Sequence, residues 1–115
     1  MRRPILAIAL SALTLGVLGT STAQAGVFTV QGAVVNQQCL GGDFVRVTLT
    51  ATATDPALFV WDFTNNGSFD TRPSPNPTVQ RVYPDEVNVT ARVGAVNQAR
   101  ETDTDLVSFA TLRCP

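Results

Sequence analysis

The side chains that usually carry reaction chemistry are scarce in this sequence of 115 residues. It has no histidine, so the commonest general base near neutral pH is missing, and with it any His-containing metal site. The two cysteines stand apart at 39 and 114, without the CxxC spacing of a redox or zinc centre. Beyond residue 25 serine occurs only at 68, 74 and 108, and none has an evident activating base. No Gly-rich phosphate loop is present. Two acidic groupings remain. Asp62, Thr64, Asn66, Gly67 and Asp70 place short oxygen donors at alternate positions around a glycine, the outline of a calcium loop. Pro73 stands where an EF-hand carries its bidentate glutamate. Asp62, Asn66 and Asp70 are therefore weak calcium candidates, and the favoured reading is a turn whose Asx side chains bond backbone N–H groups. Glu101, Asp103 and Asp105 share one face of an extended segment. They read as a solvated edge that resists edge-to-edge pairing, with a cation or basic-partner patch as the alternative. Paired carboxylates for glycoside hydrolysis need a cleft, and nothing in the sequence announces one. The expectation is a non-enzymatic protein with no cofactor and no resident metal.

Charge narrows the partners. Eight arginines and no lysine face nine acids, a net charge of −1, which offers no clustered cations for a phosphate backbone. The N-terminus reads as an export signal: Arg2 and Arg3, an apolar run from Ile5 to Leu18, then Ala23-Gln24-Ala25. Cleavage is expected after Ala25, leaving Gly26 first. A membrane anchor is the weaker reading, because the run falls short of the roughly 20 residues a span needs. Removing residues 1–25 leaves one domain, 26–115, with six arginines, nine acids and a net charge of −3. Both cysteines stay in this part. In an oxidising compartment Cys39 and Cys114 are expected to pair.

The remainder has the period-two pattern of β-strands. Val45, Val47, Leu49, Ala51 and Ala53 point one way; Arg46 and four threonines point the other. Residues 87–93 alternate likewise, and Phe59, Trp61 and Phe63 share a face. An earlier strand starts at Phe28 and Val30. A last one runs from about Thr102 to Leu112, with a change of phase near Leu106-Val107 that reads as a bulge or a change of sheet. Turn signals at Gly41-Gly42-Asp43, Asp55-Pro56, Asn65-Asn66-Gly67, 73–77 and Pro84-Asp85 separate them. No helical period follows residue 26. The fold class expected is all-β, a sandwich of about seven strands.

Trp61-Asp62-Phe63, the Gly67 turn, Asn76-Pro77, Tyr83 and the alternating strand 87–93 resemble the PKD (polycystic kidney disease) domain family, across about residues 27–112. The turn after Phe63 is longer than the family's. Asp85-Glu86 replaces the glycine before the later strand, Val87 stands where the family usually has an aromatic, and the Asn-containing turn is shifted to Asn97. The resemblance implies an immunoglobulin-like sandwich and an extracellular interaction or spacer role, with a protein or polysaccharide partner. Trp61 would suit a polysaccharide or collagen platform, but three aromatics on one strand face make a core the better reading. Tyr83 reads as a hydrogen-bonded strand-end aromatic. In an immunoglobulin-like sandwich part of the first strand can pair in parallel with the last, so that their ends emerge together. That would bring Cys39 and Cys114 within disulfide reach at one end. The alternative role is a small secreted inhibitor or small-ligand carrier on the same disulfide-tied sandwich.

Overall fold

The computed structural model describes residues 27–115; the expected cleavage point between Ala25 and Gly26 lies outside the described residues. Those residues form six strands, β1 (Val30–Cys39), β2 (Phe44–Ala53), β3 (Ala57–Asp62), β4 (Val79–Pro84), β5 (Asn88–Asn97) and β6 (Thr102–Ala110). Among them no helix is long and apolar enough to cross a membrane. The strands make two three-stranded antiparallel sheets, ordered β1-β2-β4 and β3-β5-β6. Alternation explains why they stack as a sandwich. Val45, Val47 and Leu49 of β2 point into the same core as Phe59 and Trp61 of β3 and Ala91 and Val93 of β5. Each sheet buries one apolar face against the other.

About seven strands were expected, and six are present among the described residues. The segment between β3 and β4 runs antiparallel beside β3 but makes only one bridge, Phe59 to Ser74. Its backbone falls out of step because Thr71 Oγ1 accepts from the Trp61 N–H at 2.9 Å, while the Trp61 carbonyl accepts from the Asp70 N–H at 2.7 Å. Pro73 and Pro75, on either side of Ser74, offer no N–H to a further strand.

The irregularity expected in the last strand is in the first. β6 pairs with β5 without a break from Thr102 to Ala110. Asp103, Asp105, Val107 and Phe109 all turn inward by simple alternation. What changes near Leu106-Val107 is chemistry, not phase: the first two inward positions are carboxylates. The bulge lies in β1, where the register with β2 shifts between Val34 and Asn36. Before Val35 the inward positions are even-numbered. After it Gln37 and Cys39 are the less exposed residues. One extra residue thus turns Cys39 toward the interior.

β1 and β6 run in the same direction, side by side, but no backbone ladder joins them. Their seam is built from side chains. The Val30 N–H donates to Asp103 Oδ2 at 2.9 Å and the Gly32 N–H to Asp105 Oδ2 at 2.8 Å. Farther along, Gln37 Nε2 donates to the Ala110 carbonyl, and Gln37 Oε1 accepts from the Leu112 N–H. Asp103 and Asp105 are therefore not the solvated edge face that was expected. They are half-buried and bind the opposite sheet. Glu101, by contrast, is exposed. A glycine is needed at 32: a Cβ there would meet Val107 Cγ2 at 2.5 Å.

Candidate functional site

The residues singled out by their chemistry converge on the loop that leaves β3. Trp61 faces the core and is 1% exposed. Asp62, the next residue, faces the other way, yet it is also fully buried, because the loop folds back over it. Asp62 Oδ1 accepts from the Asn66 N–H at 3.1 Å and Oδ2 from the Gly67 N–H at 2.9 Å. Arg92, paired with it across β5, brings its guanidinium within 3.6 Å. Burial pushes the Asp62 carboxyl upward. The Asn66, Gly67 and Thr64 N–H groups and Arg92 outweigh that and hold it below the usual carboxylate range. The turn demands left-handed backbone at Asn65 (φ 53°) and Gly67 (φ 94°), which Asn and Gly tolerate best.

Asp70 and Asn66 serve the same loop. Asp70 Oδ2 accepts from the Phe63 N–H at 2.8 Å, and Asn66 Oδ1 from the Ser68 N–H at 3.0 Å. The three calcium candidates thus receive N–H donors on oxygens that a cation would need. Among the described residues no group of three or more His, Cys, Asp or Glu side chains is arranged to hold a metal ion. Tyr83, buried on β4, donates its hydroxyl to the Phe63 carbonyl at 2.8 Å. Burial pushes that hydroxyl's pKa up to about 12, with Arg81 pulling the other way. Asn76-Pro77 ties the far end of the connection: Asn76 Oδ1 accepts from Thr78 N–H, and the Pro77 carbonyl from Ala51 N–H.

At the opposite end of β1, Cys39 and Cys114 form a disulfide with Cα atoms 5.7 Å apart. Cys39 closes β1 and Cys114 lies four residues past β6. The intervening tail is pinned along residues 84–87. Thr111 Oγ1 donates to the Pro84 carbonyl and accepts from the Val87 N–H. Asp85 Oδ2 accepts from the Cys114 N–H. Glu86 has φ 51°, the conformation that suits a glycine. The pair that departs from the PKD pattern is thus the pair that holds the disulfide tail.

Two residues that matter, Arg92 and Asn97, were given no bonding role from the sequence. Arg92 had a signal, as a lone charge in an apolar alternating strand. Asn97 had one too, in its i, i+4 spacing to Glu101. Its Nδ2 donates to Asp55 Oδ2 at 3.0 Å and Glu101 Oε1 at 2.9 Å, and its Oδ1 accepts from the Glu101 N–H at 2.9 Å, closing the β5–β6 hairpin. Compared with family models, curated proteins and solved structures, the chain matches none.

Proposed function

We propose that the chain is an exported, non-catalytic module of the PKD type, an immunoglobulin-like sandwich that mediates an extracellular protein or polysaccharide interaction or spaces its partners. One observation carries the reading. The residues of the PKD resemblance hold one another: Asp62 caps the Gly67 turn, Tyr83 hangs on the Phe63 carbonyl, and Trp61 fills the core beneath them. Motif residues used in this way build a scaffold and leave recognition to the surface. The disulfide supports export, because such bonds persist in oxidising compartments. The test is a pull-down with the exported protein against its own secretome and insoluble polysaccharides. Saturable retention that survives Ser68→Ala and Ser108→Ala supports the reading. Absence of retention together with turnover of a substrate by the purified protein would overturn it.

A further inference from the structure

The two sheets differ on their outer faces. On β2 that face is polar from Arg46 through Thr48, Thr50 and Thr52, with Phe44 exposed only at the end beside the disulfide, much as expected of an antiparallel sheet wetted on one side. On the β3-β5-β6 sheet it is apolar at one end. Leu58, 42% exposed, lies opposite Val96, and Pro56 and Pro75 flank them around a hollow of about 380 Å³. The hollow runs on past Pro56, Asn97 and Gln98 into a second of about 270 Å³, whose polar wall includes Asp55 and Glu101. Asn97 donates to one oxygen of each of these carboxylates, so two negative charges are held about one fixed amide. Both carboxylate residues are exposed, and each retains a second oxygen able to accept from a cation.

We infer that this groove, at the end of the sandwich away from the disulfide, docks an extended protein segment carrying an aliphatic side chain beside an arginine or lysine. The aliphatic group fills the Leu58–Val96 floor, and the cation reaches the Asp55–Glu101 end. Charge complementarity selects the occupant: an apolar floor ending in two carboxylates, on a domain of net charge −3 after processing, favours a cationic group on an apolar stem. The proline walls lack N–H donors, so recognition is by side chains and not by strand addition. The inference deepens the interaction-module reading and rests on it.

The test is an NMR titration of ¹⁵N-labelled protein expressed with its own N-terminal segment and purified after export. The probes are the blocked peptides acetyl-Ala-Leu-Arg-Ala-amide, acetyl-Ala-Leu-Glu-Ala-amide and acetyl-Ala-Gly-Arg-Ala-amide, and cellohexaose. The Leu-Arg peptide is expected to shift the amides of Leu58, Val96, Asn97 and Gln98 and to bind at least about tenfold more tightly than the other two peptides. Asp55→Asn with Glu101→Gln keeps an acceptor for Asn97 and should lose about tenfold in affinity along with the salt dependence. Leu58→Thr should lose a similar factor. Shifts elsewhere, equal binding of the Leu-Glu peptide, or a response to cellohexaose alone would overturn the inference. A partner from the secretome pull-down whose retention is unchanged by these three substitutions would refute the groove while leaving the module reading standing. If no partner is retained and the purified protein turns over a substrate, it is the module reading that fails.

Discussion

Burying a carboxylate is costly unless donors replace the water around it. Asp62 meets that condition with two backbone N–H groups from its own loop and a neighbouring guanidinium. Its carboxyl is held below the ordinary range, so its stabilising contribution is complete above the pKa of an unfolded aspartate, about 3.9. The contribution is lost as pH falls through the lower folded value. Thermal melts of the wild type should therefore show stability falling below about pH 4. Asp62→Asn, which places an amide where two N–H groups point, should melt several degrees lower at pH 7 and show a shallower acid dependence. An unchanged melting temperature in that variant would count against a buried, bonded Asp62. Trp61 is the counterpart on the inner face. Trp61→Ala removes a side chain that is 1% exposed and should cost about 3–5 kcal/mol, measured by urea unfolding. A variant as stable as the wild type that had lost only ligand retention would place the indole on the surface.

At the scale of elements, the inner face of a strand was readable from sequence where that face is apolar, and not where it carries polar side chains. β2 declares itself through Val45, Val47 and Leu49 set against threonines, because its inner face is wholly apolar. β6 was legible as a strand but its inner face was not, because Asp103 and Asp105 occupy inner positions and imitate an exposed edge. Only the neighbouring strand shows that they replace ladder carbonyls for Val30 and Gly32. The β1 bulge was hidden for a similar reason: Asn36, Gln37 and Gln38 are all polar, so hydrophobicity carries no phase there. In the loop from Asp62 to Asp70 the Asp62 and Asn66 side chains accept from backbone N–H groups of the turn, chemistry local enough to be legible in the sequence. The burial of Asp62 was not readable, since that depends on the loop folding over β3. Deleting Val35 tests the bulge. With that residue gone the alternation runs unbroken from Val34 into Asn36, so Cys39 keeps Val45 as its partner and its inward face, and the disulfide should still form quantitatively. Two free thiols in the purified variant would mean that Val35 is not the extra residue.

Taken as a whole, the molecule is two small sheets joined along one side by the β1–β6 seam and at one end by the disulfide. A domain of this size has a modest core and a thin stability margin. Closing a loop of 75 residues is worth about 4 kcal/mol in the loop-entropy model. Reduction should lower the melting temperature and expose the tail beyond β6 to protease before any other segment, as mass spectrometry of early fragments would show. Equal cleavage rates at the tail in both redox states would mean that the Thr111 and Asp85 hydrogen bonds hold it alone. The central claim is that the chemistry-capable side chains of the 62–70 loop are consumed in building the scaffold. The most direct test is to melt the processed protein in EDTA and again in millimolar calcium, for the wild type and for Asp62→Asn. The account predicts the same melting temperature in both solutions for each protein, with the variant lower by the same amount in each. A calcium-dependent rise in the wild type that vanishes in Asp62→Asn would contradict it, because a ligand stabilises the folded state that binds it.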